Sequence, residues 1–185
     1  LTRTIRRMDL LFAISQGAGL AVACGLAAIL PLGVLAIAAL LGWAPGALAF
    51  ADGTPFLAAA WVAGVVEAAA RAMLPIPVRI ALSAAGGGAA FEIAAGDQLP
   101  FAGLVVGAAI GAGTAWTTTR MADRAISGGG TRWGVTALVA VAGVVAAALA
   151  IIPIVGFALV LVALWAGLRS RRDDQGRYAG LRVLR

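Results

Sequence analysis

The sequence contains no histidine, no lysine and a single cysteine, and only 12% of its residues are charged. Without His the commonest metal ligand and general base is missing, and Cys24 alone can form neither an intrachain disulfide nor a thiolate zinc site. All 14 basic residues are Arg, so there is no amine for a Schiff base or a phosphate-binding loop. No pairing of nucleophile and base is visible in what remains, and the chain reads as a non-enzyme with no metal and no cofactor.

Against these absences stand 62% hydrophobic residues and 25 glycines, with a mean hydropathy of +1.01. A chain of 185 residues cannot bury that much apolar surface in a water-soluble core. Uncharged runs longer than about 18 residues mark membrane spans instead. The expected fold class is therefore an all-α polytopic membrane protein, with the lipid bilayer as its first partner. The net charge of +6 and the isoelectric point near 11.4 would suggest nucleic acid in a soluble protein. Here the arginines flank apolar runs, as membrane insertion requires, and no nucleic-acid partner is expected.

Arg3, Arg6 and Arg7 precede an apolar run, the layout of a signal peptide. Uncharged sequence then continues over residues 10–41, well past the roughly 7 to 15 residues of a cleaved apolar region, so a retained span is expected. Cys24 follows a faint lipoprotein-like box but reads as a small packing residue. At about 20 residues per crossing, charges, prolines and glycines divide the chain into six spans. The first covers residues 8–30; after Pro31, residues 32–41 are too short to cross alone and suggest a half-helix. The next cover 55–74, 77–94 and 100–119, with a tight turn at Pro75 and Pro77. Residues 133–168 would be roughly 54 Å long as one helix, against roughly 30 Å of hydrocarbon, so they fold at Ile152 and Pro153 into a fifth and a sixth span.

Cytoplasmic loops carry the basic excess, and this division puts every Arg on one side. Both termini are then expected in the cytoplasm. The tail over 169–185, with Asp173, Asp174, Gly176 and Gly180 interrupting any helix, is expected to meet anionic lipid headgroups at this Arg-rich face. Two weak internal matches suggest repeats over 8–94 and 100–168: Ala18-Gly19-Leu20 with Ala102-Gly103-Leu104, and Val62-Ala63-Gly64 with Val141-Ala142-Gly143. Three spans per repeat, an odd number, would make the copies inverted, an arrangement many transporters use.

Gly103, Gly107 and Gly111 recur every fourth residue and form a small-residue stripe for close helix packing, with Gly19, Ala23 and Ala27 as its counterpart. The same stripes could pack protomers of a homo-oligomer. Gly86, Gly87 and Gly88 lie in mid-span, where each disfavours helix by roughly 1 kcal/mol relative to Ala, and suggest a break that exposes carbonyls. Glu67 is the sharpest polar signal, since a carboxylate inside a span is costly and functional by default. Arg71, four residues on, offers the alternative of a structural ion pair. Gln16, Ser83, Thr114, Thr117 and Thr118 are neutral polar candidates for a substrate or ion pathway. Trp43, Trp133 and Trp165 read as interfacial anchors, with Trp61 and Trp116 deeper.

Met8-Asp9-Leu10-Leu11, then Gly25 through Pro31 and Leu32, then Val66-Glu67 before a proline-rich turn with Arg79, resemble a family of small bacterial membrane proteins known as domain of unknown function 4126. Thr118-Thr119-Arg120 and the run Gly128, Gly129, Gly130 are similar to its second half. The resemblance implies an integral inner-membrane fold and names no substrate. The best functional expectation is a small transporter or channel with Glu67 as its coordinating carboxylate; the alternative is a membrane scaffold or accessory subunit.

Overall fold

The computed structural model describes residues 2–42, 54–96, 99 and 101–179, except for the side chains of 2–7, 171 and 173–179. Trp43, Asp52, Asp97, Pro100, Gly180, Arg182 and Arg185, and the side chains of Arg3, Arg6, Arg7, Arg171, Asp173, Asp174 and Arg177, lie outside the described residues. Among the described residues the fold is all-helical: α1 (Thr2–Leu26), α2 (Leu30–Leu40), α3 (Thr54–Ala70), α4 (Ile76–Ala95), α5 (Ala102–Ser127), α6 (Arg132–Ala150) and α7 (Val155–Ala179).

Three of these helices contain stretches long and apolar enough to cross a membrane, Met8–Leu26, Ile76–Ala95 and Arg132–Ala150, where six spans were expected. The shortfall has local causes. α3 has 17 residues, about 25 Å of helix, and the apolar part of α7 is confined to Val155–Ser170. α5 is long enough, but glycines and threonines dilute its apolar half. It also runs on to Ser127 instead of ending at Thr119, and α7 continues to Ala179 through the acidic pair and Gly176, which do not stop it.

α1 is the central helix, packed against α4, α5, α6 and α7. Every residue from Ser15 to Gly25 is buried, whichever way its side chain points. The helix stops at Leu26, four residues short of the expected end. Pro31 stands in the first turn of α2; it has no N–H for the carbonyl one turn back, and it biases its predecessor away from helix.

Contacts fix the helix directions. Gly17 meets Phe91 while Gly86 meets Cys24, so α1 and α4 are antiparallel. Gly103 meets Phe91 while Gly111 lies on the carbonyl of Ser83, so α4 and α5 are antiparallel. Gly19 meets Ala150 while Gly143 meets Ala27, which sets α6 against α1 in the same way. Gly64 meets Leu30 while Gly33 meets Trp61, so α2 and α3 are antiparallel as well. α2 therefore turns back at residues 27–29, and Leu35 joins the core cluster of Leu20, Cys24, Ala90 and Ala147.

That reversal corrects two expectations. With α2 as an extra pass, α1 and α5 run parallel, so the matched segments at Gly19 and Gly103 do not have opposite orientation, whereas those at Gly64 on α3 and Gly143 on α6 do; two inverted three-helix repeats are not shown. The start of α1 and the end of α7 lie at opposite ends of the bundle, and the helical segment carrying Arg3, Arg6 and Arg7 is at the far end from Arg79, Arg124 and Arg132. Counting the short half-helix as no crossing produced the expectation of a single basic side.

The glycine run does not break α4, which is continuous from Ile76 to Ala95. Each glycine lets a neighbour close in. A Cβ on Gly86 would fall on the carbonyl oxygen of Ala28, one on Gly87 would lie 2.6 Å from the carbonyl oxygen of Gly107, and one on Gly88 would lie 2.9 Å from that of Leu104. Close backbone packing offsets the poor helix propensity. Gly103, Gly107 and Gly111 face α4, whereas Gly19 sits beneath Ala150 and Gly156; the two stripes serve different interfaces.

Gly87→Leu should lower stability by about 1–3 kcal/mol through overpacking. At Gly113 a Cβ meets nothing within 4 Å, so Gly113→Ala should be neutral or stabilising by up to about 1 kcal/mol. Denaturant unfolding in micelles compares them; equal effects would mean that the α4–α5 contact is not close-packed.

Candidate functional site

The residues around the α1–α2 break form the most polar part of the interior. Where a helix ends, its last carbonyls lose their intrahelical donors, and at the end of α1 this happens inside the protein, with Ala27 and Ala28 buried. Arg71, just past the last turn of α3, reaches the break. Its Nη2 donates to the carbonyl oxygen of Gly25 at 3.3 Å, while Nη1 donates to Oε1 of Glu67 at 2.7 Å. Glu67 and Arg71 are each 6% exposed. Four-residue spacing with Glu first sets their side chains together on one helix face. The guanidinium thus closes a carboxylate and a freed carbonyl from another helix with one planar group.

The neutralisation is incomplete in hydrogen-bonding terms. Oε2 of Glu67 is buried without a hydrogen-bond partner, and so is the hydroxyl of Ser83, whose residue is fully buried. Ser83 lies one turn before Gly86, the residue that accommodates the Ala28 carbonyl. Thr114 approaches from α5, with its Cγ2 2.7 Å from where a Cβ on Gly25 would stand. Glu67, Arg71, Ser83 and Thr114 thus come from three helices that meet at the end of α1.

The other sequence-derived candidates are elsewhere. Gln16 donates from Nε2 to the carbonyl oxygen of Ile151 at 2.6 Å, at the α6–α7 turn. Thr117 and Thr118 donate to the carbonyl oxygens of Gly113 and Thr114, one turn back, at 3.0 and 2.8 Å. Their hydroxyls are spent on their own helix.

Sequence reasoning missed Ser15, which works beside Gln16. Its Oγ accepts from the backbone N–H of Phe157 at 3.2 Å, capping α7. The turn it supports contains Ile154 at φ 79°, a left-handed conformation that β-branched residues avoid. Two adjacent polar residues in a span were the available signal. The role of Gly25, whose carbonyl oxygen accepts from a distant arginine, carried no signal at all.

Further arginines of this half of the molecule donate to backbone carbonyls, two of them in the turn between α3 and α4. Arg79 donates to the carbonyl oxygen of Leu74 at 2.8 Å, Arg124 to that of Ser170 at 2.9 Å, and Arg132 to that of Ala72 at 3.4 Å. Trp116 lies under Arg120, 4.8 Å from guanidinium carbon to ring centroid, and Trp165 under Arg169 at 5.4 Å. Among the described residues no group of His, Cys, Asp and Glu could hold a metal ion.

A comparison with protein-family models, with curated proteins and with solved structures finds no match to this chain.

An unpaired buried hydroxyl and a fully used amide should respond oppositely to removal. Ser83→Ala should leave stability unchanged or raise it by up to about 1 kcal/mol, whereas Gln16→Leu, which strands the Ile151 carbonyl, should lower it by about 1–3 kcal/mol. Thermal unfolding in micelles measures both, and a destabilised Ser83→Ala would reveal a partner for the hydroxyl.

Proposed function

We propose that the chain is a small bacterial inner-membrane transporter or channel for an ion or small solute, with Glu67 as its coordinating or coupling carboxylate. The observation that supports this is the unpartnered Oε2 of Glu67, buried at the end of a broken helix. Discontinuous helices inside membranes are where transporters build ion and substrate sites, because released carbonyls and a charged side chain converge there. Ser83 of α4 and Thr114 of α5 would be its neutral hydroxyl ligands in this reading. Gln16, Thr117 and Thr118, committed to backbone carbonyls, serve the scaffold of the bundle in this reading. The glycine-lined helix contacts hold that scaffold tightly enough to position the site.

The stretches Met8–Leu26, Ile76–Ala95 and Arg132–Ala150, long and apolar enough to cross a membrane, support the placement in a membrane. By the positive-inside rule the end bearing Arg79, Arg120, Arg124 and Arg132 faces the cytoplasm, together with the end of α7. Anionic lipids then lie against that end.

A second reading has its own observation. Glu67 and Arg71 are sealed from solvent and bound to one another, as the polar groups of a non-transporting scaffold or accessory subunit would be. Flux separates the two. In proteoliposomes carrying wild type, Glu67→Gln or no protein, transport predicts ion or proton flux in the wild type. Glu67→Gln should reduce that flux about ten-fold or more at an unchanged unfolding midpoint. Equal flux in both proteins would remove Glu67 from the mechanism; no flux in either would favour the scaffold.

A further inference from the structure

A groove of about 490 Å³ runs between α5 and α7, partly open to the surroundings, with Val22 of α1 among its lining residues. Its walls are apolar, with Ile110 from α5 and Val160, Ala163 and Leu164 from α7. Ile110 and Val160 pack beside Ala18 and Phe91, so this part of the groove reaches the interior. Thr114, one turn after Ile110, lines the groove and is 9% exposed. Thr117 and Thr118 turn their hydroxyls onto carbonyls of their own helix, whereas the hydroxyl of Thr114 has no hydrogen-bond partner among the described residues. The Cβ and Cγ2 of Thr114 are the atoms turned to Gly25, which leaves the hydroxyl to the groove.

We propose that this groove binds a small uncharged molecule from the bilayer core, a hydrocarbon body carrying one hydroxyl or carbonyl group, with that group hydrogen-bonded to Thr114. The inference goes beyond the transport reading and requires only that the chain sits in a membrane. The occupant follows from what the groove offers and where. A buried hydroxyl without a partner is costly, and a ligand's polar group recovers that cost. Because a hydroxyl both donates and accepts, either a hydroxyl or a carbonyl fits it. A charged group at this depth would lose its water, and the apolar walls give nothing in return. Depth also sets a small molecule apart from a phospholipid. Thr114 lies six residues before Arg120, about 9 Å along the helix, and Arg120 stands over the ring of Trp116 nearer the membrane surface. A phospholipid keeps its oxygens near that surface and presents methylene groups at the level of Thr114, whereas a molecule dissolved in the bilayer core brings an oxygen to it. The volume falls within the roughly 300–1,000 Å³ of small-molecule sites, which are mostly apolar with a few placed polar groups.

The test uses the full chain in proteoliposomes and a straight-chain alcohol that carries a photoreactive diazirine, with the labelled residues mapped by mass spectrometry. In the wild type, labelling should saturate at one alcohol per chain and fall on groove residues of α5 and α7. At equal concentration in the bilayer, decanol should displace the probe about ten-fold better than decane, the worth of one hydrogen bond. Thr114→Val, which keeps the shape and removes the hydroxyl, should cancel that advantage. Gly113 supplies the steric control: it lines the groove, and a Cβ there would meet nothing within 4 Å. Gly113→Leu should therefore reduce labelling about ten-fold at an unchanged melting temperature, and Ala163→Leu on the facing helix should do the same. Equal displacement by decanol and decane in the wild type would overturn the proposal. So would labelling that does not saturate or spreads evenly over the helices, wild-type labelling in both leucine variants, or a co-purified phospholipid that decanol does not displace.

Discussion

The interaction on which the rest of the structure depends is the contact of Arg71 with the end of α1. A helix buried on all sides has stopped at Leu26 and reversed, and its released carbonyls have no water to turn to. In an apolar interior each unsatisfied carbonyl is expensive. A guanidinium can satisfy one, but a lone buried guanidinium would itself be costly, and Glu67 one turn earlier supplies the countercharge. The pair, the carbonyl of Gly25 and the turn at residues 27–29 therefore form one unit. Because α2 reverses there, α3 runs parallel to α1, and its last turn brings Arg71 to the break. Direction, charge and backbone satisfaction are a single problem with a single solution.

Small residues make that solution fit. Ala28 projects its carbonyl into α4, and only a glycine at position 86 leaves room for it. Gly87 and Gly107 then bring α4 and α5 together, and Gly143 lets α6 approach Ala23 and Ala27. In a bilayer, burial of apolar surface between helices gains little, since lipid is as apolar as the protein; close approach and hydrogen bonds carry the association. This explains how a chain so rich in Gly and Ala can hold a defined interior.

The all-helical class was legible because long uncharged apolar runs decide it almost alone, although three helices long and apolar enough to cross a membrane stand where six were expected. The meeting of Glu67 and Arg71 follows from their spacing on one helix. The stop near Pro31 was legible too, because a missing donor is a local fact. What could not be read was the direction after the stop: Pro31 ends a helix equally well whether the chain continues or turns back. From that ambiguity came the wrong orientation of α1 against α5 and the misplaced N-terminal arginines. The glycine run misled for a related reason. Propensity is local and argued for a break, whereas the partners that justify Gly86, Gly87 and Gly88 lie on two other helices. The bond from Arg71 to Gly25 crosses 46 residues of sequence, and no spacing rule reaches that far.

Whether Glu67 and Arg71 act as one unit at the break is open to direct measurement by a double-mutant cycle of Glu67→Gln and Arg71→Met, read as unfolding free energy in micelles. The account predicts that Arg71→Met alone is strongly destabilising, by about 3–5 kcal/mol, because it leaves a buried uncompensated carboxylate. It also predicts that adding Glu67→Gln recovers part of that loss, giving a coupling of about 1–3 kcal/mol. Strictly additive effects would contradict it, because the carboxylate and the guanidinium would then be stabilising the protein independently of one another.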